Sequence, residues 1–136
     1  MSEQATVNNR IGAVILAAGY SSRMGSFKPE LQIGGKTVIA RLIASFYDAG
    51  IKDIVVVSGH NREVLQSLIR GFDVTESYNE NFPEGMFTSI QAGVRKTDEA
   101  LKGFFLIPVD CPLMEKETVE ALVSQIKDDS SFVVPC

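Results

Sequence analysis

Short apolar runs alternate with amphipathic stretches along this chain. Ile11 to Ala17 is unbroken apolar sequence after a polar start, the pattern of a strand covered on both faces. From Lys36 to Ala49 the apolar residues Val38, Ile39, Leu42, Ile43 and Phe46 fall on one side of a 3.6-residue helix, and Gly50 supplies a stop. Ile54 to Val57 is β-branched throughout and predicts a second strand. A short helix is expected from Asn61 to Arg70, capped near His60 or Asn61 and closed by Gly71, then a third strand over Phe72 to Glu76. The breaker cluster Pro83-Glu84-Gly85 precedes a helix over Met86 to Arg95. A fourth strand (Gly103 to Val109), a helix (Lys116 to Lys127) and a last strand (Ser131 to Val134) complete the pattern.

Strand and helix alternate from end to end. That order predicts an α/β fold of three layers, Rossmann-like, with a mostly parallel sheet and helices on both faces. Sheets of this kind take ligands at the carboxyl ends of their strands. The rule points to three segments here: residues 18–28, 58–61 and 110–114. Residues 1–10 are polar and read as a loose tail, leaving 11–136 as one domain.

Composition narrows the chemistry. With 136 residues the chain can bury a substantial core, and 45% hydrophobic and 22% charged residues describe an ordinary globular protein. The net charge of −4 leaves no footprint for nucleic acid or an anionic membrane, so a phosphate ligand must be held by a local cluster of donors. No apolar run approaches a membrane span and the first residues lack the apolar core of a signal peptide. Cys111 and Cys136 form neither a disulfide framework nor a zinc spacing, and the plain expectation is a cytoplasmic protein.

The segment after the first strand gathers Gly19, Ser21, Ser22, Arg23, Gly25 and Lys28. Glycines let the backbone approach a ligand and expose its N–H groups; hydroxyls donate to phosphate oxygens; Arg23 offers a planar fork and Lys28 a point charge. On residue types alone, a phosphate cradle and a solvated Gly/Ser loop with incidental cations both fit. Two commoner phosphate loops do not. Gly34-Gly35-Lys36-Thr37 looks like the end of a Walker A loop, but Glu30 stands where its first glycine belongs. Gly34-Gly35 therefore reads as a turn. The G-x-G-x-x-G dinucleotide signature is also absent.

Taken as a string, Leu16-Ala17-Ala18-Gly19-x-Ser21-x-Arg23-Met24-Gly25-x-x-Lys28 resembles the signature of the MobA-like nucleotidyltransferases, which attach CMP or GMP to molybdopterin. Its Leu-Ala-Ala-Gly form is more like the cytidylyl branch. The block from Asn79 to Gly93, with Gly85 and Ser89, is similar to a second block of that family, and Ile107-Pro108-Val109-Asp110-Cys111-Pro112-Leu113 to its metal-binding block.

The resemblance implies a nucleotide, CTP before GTP, held against Ala17, Ala18, Gly19, Ser21, Ser22, Gly25, Gly85 and Ser89, with Mg²⁺ on Asp110. Arg23 would hold the β- and γ-phosphates and Lys28 would neutralise charge at the α-phosphate. A phosphorylated acceptor such as molybdopterin would attack the α-phosphorus and release pyrophosphate. A sugar-phosphate or small-alcohol nucleotidyltransferase and a non-catalytic nucleotide-binding module are the alternatives.

Read without the resemblance, Asp110 fits either a metal ligand at a strand end or a cap for the following helix. Gly85 and Ser89 fit either a nucleotide site or a helix cap. Met86 and Phe87 read as packing residues, His60 as a capping or surface group, and Cys111 as a small packed residue. Two departures from the family stand out. Pro29-Glu30-Leu31 puts a negative charge beside the loop, and the sequence ends at Cys136 before the usual acceptor-binding segment and a second acidic metal ligand. The expectation is thus a nucleotide-binding domain that turns over poorly by itself.

Overall fold

Continuous burial of the first strand organises the whole molecule. In this computed structural model, which describes residues 11–18, 32–97, 103–109, 116–123 and 132–133, strand β1 (Ile11–Leu16) has all six residues buried. It lies in the middle of a five-stranded sheet. The other members are β4 (Asp53–Ser58), β5 (Thr75–Tyr78), β6 (Gly103–Pro108) and β7 (Phe132–Val133), in spatial order β5-β4-β1-β6-β7. Every pairing is parallel: Val14 stands opposite Val55 on one side and Leu106 on the other. The chain winds outward from β1 first through β4 to β5, then back across to β6 and β7. It changes direction between β1 and β6, the place where such sheets leave a crevice.

Two apolar clusters cover the faces of this sheet. On one, Ile11, Ala13 and Ile15 of β1 meet Ile39, Leu42, Ile43 and Phe46 of helix α1 (Val38–Asp48), together with Leu65 and Ile69 of α2 (Arg62–Ile69) and Val119 of α4 (Lys116–Val123). The Phe46 and Phe105 rings pack there with centroids 5.4 Å apart. On the other, Val14, Leu16, Val55 and Val57 pack under Ile90 and Ala92 of α3 (Met86–Arg95). The period-two alternation of β1 thus feeds both layers, which is why its sequence shows no polar position. Helices do cover both faces of a parallel sheet, as the strand–helix alternation predicts.

Boundaries differ in instructive places. The first amphipathic helix begins at Val38, not Lys36. Lys36–Thr37 is instead strand β3 of a small antiparallel hairpin with β2 (Gln32–Ile33), closed by Gly34 and Gly35 at φ +63° and +84°. Thr37 then caps α1, its Oγ1 accepting from the Ala40 N–H at 3.2 Å. The third strand runs over 75–78 rather than 72–76. Asn61 does precede α2, but it sits in the left-handed region at φ +56° and makes no side-chain cap bond. No helix among the described residues is long and apolar enough to cross a membrane.

Candidate functional site

The carboxyl ends of the three inner strands are tied together by backbone bonds that continue past the strands themselves. The Ala17 N–H donates to the Val57 carbonyl at 2.9 Å, the His60 N–H to the Ala18 carbonyl at 3.0 Å, and the Val109 N–H to the Leu16 carbonyl at 2.9 Å. Val109 is thereby held against the end of β1, with Asp110 the next residue in the chain. On the outer side, the Asn79 N–H donates to the Ser58 carbonyl at 2.7 Å and prolongs the β4–β5 ladder by one step.

Side chains at this edge are small because the backbones come close. Ala17 and Ala18 are buried. A Cβ placed on Gly59 would stand 2.8 Å from the Ala18 Cβ and 2.8 Å from the Phe82 Cβ, so glycine is required there by space alone. His60 is half-buried, with its ring 6.1 Å from that of Phe82. Ala17 packs into the larger apolar cluster and Ala18 into the smaller one, so the side chains of both are committed to the core.

From Asn79 the chain runs through a 3-10 turn (Phe82–Glu84) into α3. The reversal is made at Gly85, whose φ of +116° and ψ of 174° suit glycine and few other residues. Gly85 is exposed, and a Cβ there would touch nothing within 4 Å. Ser89 is buried, and its Oγ accepts from the Asn79 Nδ2 at 2.9 Å. Met86 and Phe87 correct the expectation of packing: they are 59% and 68% exposed. The buried stripe of α3 passes through Ser89 and Gly93, and the first two residues of the helix lie off it.

Of the residues singled out in the sequence, the structure therefore brings Ala17, Ala18, Gly85 and Ser89 to one edge of the sheet. Gly19, Ser21, Ser22, Arg23, Gly25, Lys28, Asp110 and Cys111 lie outside the described residues. Among the described residues no group of three or more His, Cys, Asp or Glu could hold a metal ion.

One polar cluster escaped sequence reasoning. The Glu76 carboxylate of β5 accepts from the Ser58 hydroxyl, from the Gln66 Nε2 at 2.9 Å and from the Arg62 Nε at 3.0 Å. Burial alone would push this carboxyl up; the three hydrogen bonds and the charge of Arg62 outweigh it and hold Glu76 below the ordinary 4.5. Arg62 also lies over the Tyr78 ring at 4.4 Å. An open depression of about 510 Å³ beside this cluster is lined, among the described residues, by Asn61, Arg62, Glu63, Val64, Gln66 and Tyr78. The cluster braces β5 and α2 onto β4. No hydrophobic periodicity signals it, because its partners come from three different elements.

Comparison with known proteins agrees with this fold. A nucleotidyl transferase from Methanothermobacter thermautotroptrophicus superposes with a TM-score of 0.76 at 26% identity, over 86% of this chain and 58% of that one. The 4-diphosphocytidyl-2C-methyl-D-erythritol synthase of Anaerococcus prevotii shares the fold, with a TM-score of 0.67 at 18% identity over 90% of this chain and 54% of its own. Among curated proteins, the bifunctional protein GlmU of Francisella tularensis subsp. novicida is 31% identical over 126 residues, 91% of this chain and 27% of that protein. The chain thus spans about a quarter of that curated relative and little more than half of the solved ones. The profile of the MobA-like NTP transferase domain matches residues 13–136, and the chain belongs to that family of nucleotidyltransferases.

Proposed function

We propose that the chain binds CTP with Mg²⁺ at the crevice between β1 and β6 and passes the CMP group to a phosphorylated acceptor of the molybdopterin kind. The observation that carries this reading is the bond from Val109 N–H to the Leu16 carbonyl. It joins the end of β1 to the residue that follows β6, on the side of the sheet where ligands of this fold bind, and in the sequence Gly19 and Asp110 come soon after these two points. A carboxylate at one strand end and a phosphate loop at its neighbour suit Mg²⁺, which takes one or two carboxylates and fills its shell with phosphate oxygens and water. The ion would be held by Asp110 and would offset charge on the triphosphate.

The chain's own groups account for the rest. In this reading, backbone N–H groups of residues 19–25, with Ser21, Ser22 and Arg23, would hold the β- and γ-phosphates, and Lys28 would neutralise charge at the α-phosphate. Gly85 leaves the start of α3 open at the same edge. An acceptor phosphate oxygen bonds to the α-phosphorus while the bond from that phosphorus to the bridging oxygen breaks, and pyrophosphate departs with the electron pair. Alignment and charge neutralisation are sufficient for such a step. A small-alcohol phosphate is the second acceptor class, favoured by the likeness to the Anaerococcus prevotii synthase, whose name joins a cytidyl group to an erythritol.

Calorimetric titration with CTP, GTP, UTP and ATP in the presence of Mg²⁺ tests the donor. CTP should bind best, and Lys28→Ala and Asp110→Ala should each weaken it at least tenfold, or about 1.4 kcal/mol. Equal binding of CTP by either variant and the parent refutes the site. Pyrophosphate release with a pterin phosphate as against a small-alcohol phosphate tests the acceptor.

A further inference from the structure

Asn79 is 4% exposed, and its side chain is engaged at both ends. Its Oδ1 accepts from the Asn81 N–H at 3.0 Å; its Nδ2 donates to the Thr88 Oγ1 and the Ser89 Oγ, each at 2.9 Å. A backbone N–H can only donate, so the orientation of the carboxamide follows from Asn81. Because Nδ2 donates, the Thr88 and Ser89 oxygens are acceptors in these bonds. The Thr88 proton then goes to the Gly85 or Asn81 carbonyl, 2.7 and 3.0 Å away. The backbone of Asn79 is anchored in turn to the end of β4 through Ser58. One buried residue thereby joins the rigid sheet edge, the 79–85 turn and the first turn of α3.

We propose that Asn79 is a positioning residue for the nucleotide site: it fixes the exposed Gly85 peptide and the opening N–H groups of α3 relative to the ends of β1 and β4, and Ser89 serves as its anchor rather than as a ligand contact. This rests on the nucleotide-binding reading above. Ser89 is 5% exposed with its oxygen accepting from Asn79, whereas Gly85 is open to solvent. The work of the block thus divides. Asn79 and Ser89 set the geometry from inside; the backbone from Gly85 onward meets the ligand. Loss of such a clamp leaves the ligand-facing groups present but misplaced, and misplacement weakens binding without removing a contact.

The test compares Asn79→Ala, Ser89→Ala and the double variant, by calorimetric affinity for CTP with Mg²⁺ well below the melting temperature and by amide exchange over residues 88–92 in the nucleotide-free protein. N79A should weaken CTP about tenfold and speed exchange by a similar factor. S89A should weaken CTP threefold or less, since Thr88 still receives Nδ2, and the double variant should be no worse than N79A because both changes break one connection. A larger loss in S89A than in N79A would mean direct contact by Ser89 and overturns the proposal. So does an unchanged CTP affinity in a folded N79A of lower melting temperature, the mark of a merely structural residue. If N79A does not fold, the Thr88→Val/Ser89→Ala pair removes both acceptors of Nδ2 and must reproduce the tenfold loss. Absence of CTP binding by the parent would instead count against the nucleotide reading; the exchange arm would still decide the clamp, and unchanged exchange would overturn it.

Discussion

Helix α3 carries the sharpest steric prediction, at Gly93. A Cβ built there would stand 2.4 Å from the Val14 Cγ1 and 2.8 Å from the Val57 Cγ2. Carbon atoms rest at about 3.5–4.0 Å, so α3 must retreat from the sheet by about 1 Å to admit an alanine. The valines have little freedom to yield: both are fully buried, both belong to inner strands, and β-branching stiffens their χ1. Retreat also loosens Ile90 and Ala92 against the same face. Two effects then oppose each other. Alanine in a helix interior is favoured over glycine by about 1 kcal/mol. Overpacking a close-packed contact costs about 1–3 kcal/mol, and the shortness of the Val14 contact places Gly93→Ala at the upper end. The net expectation is a loss of about 1–2 kcal/mol, or roughly 3–8 °C in melting temperature for a chain of this size. Urea denaturation with calorimetry measures it, and Gly71→Ala is the control, because a Cβ at Gly71 meets nothing within 4 Å. A G93A protein more stable than the parent would show propensity prevailing over contact, and would refute the seating of α3 described here.

The Glu76 cluster predicts an acid-dependent loss of stability. Its folded pKa lies below the ordinary 4.5, so the carboxylate stabilises the protein above the unfolded value and that stabilisation disappears as pH falls through the folded value. The urea midpoint of the parent should therefore drop between about pH 5 and pH 3, while Glu76→Gln should start lower at neutral pH and converge on the parent in acid; parallel curves would remove the carboxylate from the account. In the larger core, Phe46→Ala should cost about 3–5 kcal/mol by urea denaturation, since the ring is fully buried and packs on Phe105.

Legibility in the sequence followed burial. β1 and β4 were visible as apolar runs because both faces of the inner strands are covered, and α1 because five of its residues form one stripe. β5 was misplaced for a physical reason. As an outer strand it needs only Ser77 inside, while the apolar residues that drew attention, Phe72 and Val74, pack against the core from the approach to the strand. The hairpin at Gln32–Thr37 was hidden because its strands are two residues long, and only its Gly34-Gly35 turn had a signature. At the candidate site, glycines and hydroxyls draw attention to the carboxyl edge of the sheet, but types alone do not separate exposed Gly85 from buried Ser89. Asn79 stood in the recognised block without a role, since its partners Thr88 and Ser89 lie a full turn and helix start away in sequence. Met86 and Phe87 were assigned by hydrophobicity to an interior they do not enter.

The central place of β1 also governs how the chain must be assembled. This strand leaves the ribosome before any of its sheet neighbours, yet it has nothing to pair with until Asp53–Ser58 arrives, and its other edge stays open until Gly103–Pro108, about 90 residues later. Six residues that end up buried wait through most of synthesis as half of an unfinished sheet. A nascent chain halted between β4 and β6 would present the open edge of β1 as a template for another copy, the condition under which strands associate wrongly. Slow translation ahead of Gly103, or a lesion that delays β6, should therefore reduce the yield of folded protein far more than the same disturbance placed after it.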